Sequence, residues 1–540
     1  MEGSEMSRRR ATSAFLAIGT ATLVAIALTA TPATASRHHT AAKASTTTGK
    51  AQLRQVGPTA VTLAPSAISH QGSTSTPACT LPDGGTISVY HCYTPQDIRA
   101  AYGVDQLPNQ GAGQTIVLVD SYGSPTAAQD LQTFHEQVFP EAPAPDFDQV
   151  FPQGNPQFGN TFHGNGQSGP AAAANWSGEA TLDIEWAYSI APEAHIILLA
   201  VPPAETLGVQ GFPNLFKAIS HEIDVTPPGT VFSMSLAVAE QTFGGAAKVQ
   251  TARFDKVFQK GNTKGDTFFG ATGDEGTANV SKQHRDSAPY SYPTAEWPAS
   301  SPYVTAVGGT QLQDGWKWNP SSNQPWTFDS AGNINGYNMP YWQWTDGGHL
   351  NTVWNESWGP IGSGGGQSVI YPKQSWQTDT GYQGRTIPDV SWNAAVNGGV
   401  DVYISAYPEY NCGQATGCWT IFGGTSAATP QVAALTALAD QARKAEGMDP
   451  VGNLNPLLYG QARGAFTDVV PVHQGSAPKT FAGSEVGVPG TVDKSVGDLI
   501  DNQMWGDSVP GYPTTTGYDL TTGLGTPWAP AFVSGLLTVG

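Results

Sequence analysis

Charged side chains are scarce in this chain of 540 residues, since Asp, Glu, Lys and Arg make up 12% of it. The chain is instead rich in Gly (63 residues), Pro (41) and Trp (15), which favours a compact, loop-rich secreted protein over a helical intracellular one. The charges that are present are mostly acidic, and the formal net charge is −19. This charge argues against nucleic acid or an anionic membrane as a partner.

Cysteine is also rare, with four residues and no Cys-x-x-Cys spacing or nearby pair of His. Metal binding by the cysteines is therefore not expected. Cys79 and Cys92 bracket a turn-rich stretch, and Cys412 and Cys418 close a small loop. Of the three pairings that four cysteines allow, these two require the least reorganisation of the chain. We predict two local disulfides, Cys79–Cys92 and Cys412–Cys418, as expected of an exported protein.

Long apolar runs are absent except at residues 14–30, which follow Arg8-Arg9-Arg10 and precede a small-residue site ending at Ala35. This pattern predicts a secretory signal peptide over residues 1–35. A membrane anchor is the alternative, but Gly19 and several Thr residues interrupt the run. We expect a secreted protein without stable membrane association. Repeats of 20–50 residues are absent as well, which excludes solenoids and propellers.

Residues 36–90 are rich in Ala, Ser, Thr and Gln and predict a disordered linker or short pro-segment. Residues 91–540 predict one large domain. Its continuous apolar runs are typical of buried strands in a parallel sheet, and helical segments separate several of them. The fold class expected is α/β, with a doubly wound, mostly parallel sheet and helices on both faces. The clearest predicted strands are residues 114–120, 196–201, 230–235, 267–271 and 303–307.

Ser426 lies in a Gly-Gly-Thr-Ser-Ala stretch that begins at Gly423, between a strand-like run and an alanine-rich helical stretch. The small residues permit a sharp turn that leaves Ser426 at a helix N-terminus. There its hydroxyl can act as a nucleophile, because backbone N–H groups converge on developing negative charge. The alternative is an ordinary N-capping serine.

Three acidic residues complete a candidate constellation. Glu179 and Asp183 are four residues apart on a predicted helix capped by Ser177, so their carboxyl groups share one face. Two like charges there cost stability unless one carboxyl is protonated and hydrogen-bonds the other; a solvated acidic face is the alternative. Asp274 follows a buried strand and has two possible roles. It is either an ordinary turn aspartate or, if it is protonated and faces Ser426, a hydrogen-bond donor to an oxyanion.

With these four residues in this order, the chain resembles the sedolisins, or serine-carboxyl peptidases, which are subtilisin-fold endopeptidases that act at acid pH. Residues 297–310, 364–368 and 385–391 are similar to further landmarks of the family, and the resemblance covers about residues 91–537. It implies a single catalytic domain that hydrolyses protein or peptide substrates as a monomer. Ser426 is then the nucleophile, Glu179 the base, Asp183 its orienting partner, and Asp274 an oxyanion donor.

The resemblance also implies a substrate strand and a metal site. Ser235, Leu236 and Ala237 look like the strand along which the substrates of the family align, with Ala237 where glycine is usual; Glu240 either lines a specificity pocket or is exposed. One structural Ca²⁺ is implied near the C-terminus, with an all-oxygen ligand set. Its ligands are the carboxylates of Asp468 and Asp519 and the carbonyl groups of Val469, Thr515 and Gly517.

Two other interpretations stay open. Asp120, at the end of a predicted strand, and His163 resemble the Asp and His of ordinary subtilisins, which gives a His-dependent enzyme. The aromatic stretch at residues 312–350 contains Trp316, Trp318, Trp326, Trp342 and Trp344. These side chains either pack a long insertion together or form a binding surface, and a binding surface would favour an inactive, polymer-binding protein of the same fold. An esterase is remote, because the second glycine of a Gly-x-Ser-x-Gly elbow is missing.

Overall fold

The computed structural model describes residues 57–58, 61–62, 68–69, 79–87, 92–155, 170–202, 206, 209–278, 290–319, 327–328, 334–336, 338–339, 341–356, 361–378, 380–396, 398–413, 415–469, 499–500 and 512–538. All of them belong to one compact unit that spans residues 47–540. None of the helices in this part of the chain is both long enough and apolar enough to span a membrane.

The helices of the described residues are α1 (Pro95–Ala101), α2 (Ala127–Val138), α3 (Pro170–Ile190), α4 (Phe212–Val225), α5 (Ala247–Lys264), α6 (Pro408–Asn411), α7 (Thr425–Ala445), α8 (Asn455–Tyr459) and α9 (Ala529–Leu536). Thr94 caps α1 through a reciprocal capping box with Asp97. Helix α3 is longer than expected, because it already begins at Pro170. Ser177 is consequently inside the helix and not its cap, and its hydroxyl donates to the carbonyl of Ala174.

The strands of the described residues are β1 (Gly57–Pro58), β2 (Val61–Thr62), β3 (Ile68–Ser69), β4 (Cys79–Thr80), β5 (Thr86–Ile87), β6 (Cys92–Tyr93), β7 (Thr115–Ser121), β8 (Asp146–Val150), β9 (His195–Val201), β10 (Val231–Met234), β11 (Leu236–Ala239), β12 (Thr267–Ala271), β13 (Glu296–Trp297), β14 (Thr305–Asn319), β15 (Thr327–Phe328), β16 (Ile334–Gly336), β17 (Asn338–Met339), β18 (Tyr341–Val353), β19 (Asn355–Glu356), β20 (Ile361–Gly362), β21 (Gly366–Pro372), β22 (Gly384–Ile387), β23 (Val390–Asn393), β24 (Gly399–Ile404), β25 (Cys418–Gly423), β26 (Phe466–Thr467), β27 (Leu499–Ile500), β28 (Tyr512–Pro513) and β29 (Thr526–Pro527).

The central sheet has the order β17-β18-β14-β12-β10-β7-β9-β8, and β23 also pairs with β14. The six strands β8, β9, β7, β10, β12 and β14, together with β23, run parallel to one another, whereas β18 pairs antiparallel with both of its neighbours, β14 and β17. This arrangement confirms the predicted mostly parallel sheet. The carboxyl ends of β7, β10 and β12 lie side by side, which brings together the segments that follow them in the chain.

Both faces of the sheet are covered. Along β7, Ile116 and Leu118 pack into a core that contains α3 and α7, while Val117 and Val119 pack into a core around α4, α5 and Trp297. The alternation follows from the period of two residues in a strand. Because both sets of side chains are buried, the strand reads as a continuous apolar run, which is why the sequence predicted it.

A second sheet has the order β2-β25-β24-β6 and lies where the chain enters α7. Near it, Cys412 and Cys418 form the predicted disulfide, with sulfur atoms 1.96 Å apart. Cys92 is also disulfide-bonded, in agreement with the other predicted pair, although the side chain of Cys79 lies outside the described residues. The local pairing of Cys412 with Cys418 is thus confirmed.

Some predictions fall on parts of the chain that the structure describes sparsely. Residues 1–35 and His163 lie outside the described residues. Within residues 36–90 the structure describes the short strands β1 to β5, and the interpretation as a linker or pro-segment stays a prediction. Within residues 312–350, β14 and β18 pair antiparallel in a long hairpin; the side chains of the five tryptophans there lie outside the described residues.

Candidate active site

The strand, turn and helix around Ser426 form as the sequence predicts. Strand β25 ends at Gly423 and α7 begins at Thr425. Gly424 between them has φ +96°, a left-handed value that favours glycine. Ser426 is the second residue of α7 and is completely buried in the first helical turn, where backbone N–H groups lack partners within the helix. The N-cap residue is Gly424, which excludes an N-capping role for Ser426.

Helix α3, which packs against α7, carries two buried carboxyl groups. One oxygen of Glu179, one of Asp183 and one of Asp120, near the end of β7, all lie within 4.8 Å of one another. Ser235 donates a hydrogen bond of 3.0 Å to Oδ1 of Asp183. The expected pair is therefore a cluster of three carboxyl groups, Asp120, Glu179 and Asp183, called the acidic cluster below. All three are completely buried, so a solvated acidic face is excluded.

Burial determines the protonation of the acidic cluster. It raises the pKa of Asp120 to about 8. The pKa of Asp183 lies well above its ordinary value because of burial and the charges of Asp120 and Glu179, and the hydrogen bond from Ser235 opposes this shift. Within the described part of the chain, no donor reaches either oxygen of Asp120 or Oδ2 of Asp183. The cluster therefore holds protons at pH values where exposed carboxyl groups have lost them.

Asp274 lies beside the start of α7. Its Oδ1 accepts hydrogen bonds from the backbone N–H (2.7 Å) and from Oγ1 (2.8 Å) of Thr425, the residue that precedes Ser426. The N–H of Gly273 in turn donates to Oγ1 of Thr425 over 3.2 Å. An isolated turn aspartate is thus excluded, because the loop after β12 is joined to the first turn of α7.

Two further motifs support this loop. A Cβ atom on Gly364 would lie 1.9 Å from the carbonyl oxygen of Thr272, so only glycine allows the segment to approach the loop of Asp274 so closely. Arg385 and Asp389 form a buried ion pair, and Oδ2 of Asp389 also accepts the N–H of Ala306 over 2.8 Å. Both motifs therefore act through packing and hydrogen bonding, at positions that fix the segments around the site.

The expected substrate strand lies next to the acidic cluster. Ser235, through its hydroxyl group, contacts Asp183 and so belongs to the acid network. Leu236 and Ala237 begin β11, which pairs antiparallel with β13 through Val238 and Ala239. On the opposite edge, Leu236 and Ala237 pair with β1, which is also antiparallel. The edge that faces an extended peptide thus already carries a strand of the same chain.

The side chain of Glu240 is buried, whereas one of the two expectations was an exposed side chain. It is 1% exposed. Its Oε2 accepts the backbone N–H of Val369 over 2.7 Å, and its Oε1 accepts the hydroxyl of Ser368 over 2.5 Å. Surface exposure is therefore wrong, and Glu240 links the end of β11 to β21.

The two segments expected to bind calcium meet in the structure. Oδ2 of Asp468 accepts the N–H of Gly517 over 2.7 Å, and Oδ2 of Asp519 accepts the N–H of Thr515 over 2.8 Å. Oδ1 of Asp468 is buried and has no hydrogen-bond partner among the described residues. An unpaired buried carboxylate oxygen close to a second aspartate-bearing segment is the kind of oxygen donor that suits a hard cation.

The chain is similar to several known proteins. The model of the subtilase family matches residues 111–452. Kumamolisin from Bacillus sp. (strain MN-32) is 30% identical over 398 residues, which are 70% of this chain and 56% of the relative. Tripeptidyl-peptidase 1 from Homo sapiens is 25% identical over 84% of this chain and 66% of the relative. Pseudomonas sedolisin, a serine-carboxyl proteinase solved with pseudo-iodotyrostatin, is similar in fold, with a TM-score of 0.54 and 21% identity over 83% of this chain and 99% of that one.

The chain therefore belongs to the subtilase family, and its relatives place it among the sedolisins, with a subtilisin-like fold. It matches 56% of the length of kumamolisin and 66% of that of the human relative.

Two contributions to the site were missed by reasoning from the sequence. Asp120 was assigned only to the His-dependent alternative, although its position at the carboxyl end of a strand next to β9 and β10 places it at the same sheet edge as the other site residues. Thr425 was treated as part of a turn, yet it holds Asp274. Neither contact follows from local sequence, because each joins segments that are far apart in the chain.

Proposed function

We propose that the protein is a secreted serine-type endopeptidase that hydrolyses peptide bonds of proteins at acid pH. The observation that carries the proposal is the buried acidic cluster on α3 and β7. Helix α3 packs against α7, the helix that begins with Thr425 and Ser426. The relatives named above support the reaction class. The protein acts as a monomer, and residues 1–35 direct its export.

In this mechanism Ser426 attacks the carbonyl carbon of the scissile bond, and Glu179 accepts the proton from Oγ. Glu179 then delivers this proton to the leaving amine, which departs and leaves an acyl ester on Ser426. A water molecule activated by Glu179 hydrolyses the ester. Asp183, fixed by Ser235, orients Glu179, and protonated Asp120 lowers the charge of the acidic cluster.

The oxyanion is stabilised by the backbone N–H of Ser426 and by Asp274 in its protonated form. Thr425 supports this role, because its two hydrogen bonds to Oδ1 fix the direction of the carboxyl group. A neutral carboxylic acid donates a hydrogen bond, whereas a carboxylate would repel the oxyanion, so this arrangement requires acid conditions.

Acid pH also favours a carboxylate over an imidazole as the base. At pH 4 only about one imidazole in three hundred is neutral, whereas about a third of unperturbed Glu side chains are ionised. The substrate aligns antiparallel to β11 along Ser235, Leu236 and Ala237, in the place that β1 occupies in this structure, so β1 must leave this edge before the substrate binds.

One Ca²⁺ is proposed to bind Asp468 and Asp519 through their carboxylates, together with the carbonyl groups of Val469, Thr515 and Gly517. When bound, the ion supplies charge compensation that ties the last segment to the domain. Dialysis against a chelator is expected to lower the melting temperature by about 1–2 °C, as a loss of roughly 1–2 kcal/mol from a domain of this size implies. Refilling with Ca²⁺ should restore it; an unchanged melting temperature would exclude the site.

The proposed function is tested by casein cleavage as a function of pH. The expected optimum lies at roughly pH 3–5. Ser426→Ala and Glu179→Gln should abolish cleavage, while Glu185→Gln, on the same helix and equally buried, should not.

Loss of cleavage in His163→Ala but not in Glu179→Gln would identify the His-dependent alternative. Absence of cleavage at every pH, for a folded and Ca²⁺-loaded sample, would favour the polymer-binding interpretation.

A further inference from the structure

The loop that carries Asp274 is held by residues 362–365, called the Ser363 segment below. The N–H of Gly362 donates to the carbonyl oxygen of Asp274 over 2.8 Å. The N–H of Gly364 donates to the carbonyl oxygen of Gly273, also over 2.8 Å. The Ser363 segment therefore holds the backbone of Asp274, whereas the first turn of α7 holds its carboxyl group.

The hydroxyl group of Ser363 fastens this segment to two other parts of the chain. Its Oγ accepts the N–H of Gly309, in β14, over 2.9 Å. It donates to the carbonyl oxygen of Thr521 over 3.0 Å. Thr521 belongs to the loop of residues 519–525, called the C-terminal loop below. Ser363 and Thr521 are completely buried, so one hydroxyl group joins the central sheet, the Ser363 segment and the C-terminal loop away from solvent.

The backbone on either side of Ser363 leaves little room for the segment to shift. A Cβ atom on Gly364 would lie 1.9 Å from the carbonyl oxygen of Thr272, in the loop of Asp274. A Cβ atom on Gly365 would lie 1.9 Å from the carbonyl oxygen of Leu520, in the C-terminal loop. Because both contacts are with backbone atoms in a closely packed interior, a displacement of the segment displaces the loop of Asp274 as well.

The C-terminal loop is itself fixed. Oδ1 of Asp519 accepts the N–H and hydroxyl groups of both Thr521 and Thr522, over 2.7 to 3.1 Å. The N–H of Leu524 donates to the carbonyl oxygen of Asp389 over 2.8 Å. The acceptor of the hydroxyl group described above thus has a defined position relative to the sheet.

We propose that Ser363 is a positioning residue for the hydrolysis, whose hydroxyl group determines where the carboxyl group of Asp274 lies relative to Ser426. This inference rests on the proposed function. Ser363 acts through the backbone of Asp274 and does not touch the substrate. Since the oxyanion forms only during the reaction, a small displacement of its donor lowers the rate of the chemical step and not the affinity for the substrate.

The effect of removing the hydroxyl group follows from these contacts. Ser363→Ala leaves the N–H of Gly309 and the carbonyl group of Thr521 without their common partner, so the segment no longer holds Asp274 in one place. Strand β11 pairs with β1 and β13, so the alignment of the substrate should not change. We expect kcat and kcat/KM to fall equally, by about 10- to 30-fold, with KM within about twofold of that of wild type.

The test measures kcat and KM at pH 4, with Ca²⁺ present, on a casein peptide that the wild type cleaves. The matched control is Ser301→Ala. Ser301 is also completely buried, and its hydroxyl group donates to Oδ1 of Asp255 over 2.8 Å, in α5. This control should lose stability and keep its kcat. Ser363→Cys keeps a weaker donor and should show a smaller fall in kcat, and it replaces Ser363→Ala if circular dichroism shows that the latter does not fold.

A double-mutant cycle with Asp274→Ala tests whether Ser363 acts through Asp274. The single variant Asp274→Ala should keep a low activity, because the N–H of Ser426 still contacts the oxyanion. In this background Ser363→Ala should lower kcat by less than about twofold, since the group that it positions is already absent.

An unchanged kcat in the folded Ser363 variants would overturn the positioning role, as would a raised KM with an unchanged kcat. A full 10-fold loss in the Asp274→Ala background would show that Ser363 acts through another group and would also overturn it. These results leave the proposed function standing as long as the wild type cleaves casein at acid pH and Ser426→Ala does not. Absence of cleavage by the wild type at every pH would reject both.

Discussion

Helix α3 has buried carboxyl groups on two of its faces. On each face they lie near an aspartate from another element, and the two resulting groups of carboxyls have different environments. The acidic cluster, Asp120, Glu179 and Asp183, faces the proposed active site. Glu185, about 200° around the helix from Asp183, faces α2 and β24 together with Asp130, and these two residues are called the rear pair. All five carboxyl groups are completely buried.

The difference lies in the hydrogen-bond donors. In the rear pair, Asp130 accepts the backbone N–H and the hydroxyl of Ser405 as well as the hydroxyl of Thr126, and Glu185 accepts the N–H of Tyr403 over 3.1 Å. In the acidic cluster, by contrast, Asp120 has no donor among the described residues.

Burial raises the pKa of Asp130 and Glu185 too, but donors oppose the shift of Asp130. Donors stabilise a carboxylate, and their absence leaves a carboxyl group that can keep and transfer a proton. Equal burial thus permits a structural role on one face and a chemical role on the other.

The largest effect should separate the two glutamates of α3. Glu179→Gln is expected to lower kcat/KM on a peptide substrate at pH 4 by about 10³-fold, since it removes the general base. Glu185→Gln, the matched control, should change kcat/KM by less than about threefold. Steady-state kinetics with a check of folding by circular dichroism decides the matter. Equal losses in both variants would mean that the two faces do not differ in function.

The two aspartates should differ in the sign of their effect on stability. The folded-state pKa of Asp120, about 8, lies above its ordinary value of 3.8, so its stabilising contribution is complete below about pH 3.8 and is lost as the pH rises towards 8. Asp120→Asn removes this loss and should stabilise the protein at pH 7 by roughly 3–5 kcal/mol relative to wild type, with little change at pH 4.

Asp130→Asn is the counterpart in the rear pair. It replaces an oxygen that accepts hydrogen bonds by a donor, which costs roughly 1–3 kcal/mol. Because burial raises the pKa of Asp130 as well, removal of its charge opposes this cost at pH 7, so the destabilisation should be largest at pH 4. Denaturant unfolding at pH 4 and pH 7 measures both variants. Stabilisation by Asp130→Asn at pH 7, or destabilisation by Asp120→Asn there, would reverse the comparison.

The smallest effect is expected for two serines: Ser235, which donates a hydrogen bond to the acidic cluster, and Ser405, which donates to the rear pair. Ser235→Ala removes a hydrogen bond that lowers the pKa of Asp183, so that pKa should rise and kcat/KM should fall about three- to tenfold, with the acid limb of the pH profile moved to higher pH. Ser405→Ala should leave the pH profile unchanged and reduce the free energy of unfolding by about 1 kcal/mol. A pH profile that moves in Ser405→Ala and not in Ser235→Ala would contradict this assignment.

Much of the architecture could be predicted from the sequence, because it depends on local patterns. The run around Ile116–Val119 is apolar throughout since both of its faces are buried, and Gly424 marks a turn because only glycine adopts its φ readily. Glu179 and Asp183 share a face through helical spacing alone. The motif that contains Ser426 likewise identifies a strand, a turn and a helix within a few residues.

Only the tertiary structure decided which distant groups meet. Asp120 joins the acidic cluster because β7 lies between β9 and β10, and Glu240 is buried because β21 returns to it. The pairing of β1 with β11, and of β2 with β25, has no local signal in residues 57–62, since two-residue strands have no period to detect. The sequence by itself determined the elements and the residue types available for chemistry. The long-range packing of those elements determined their protonation and which edge of the site is covered, because burial and the positions of donors depend on neighbours from other parts of the chain.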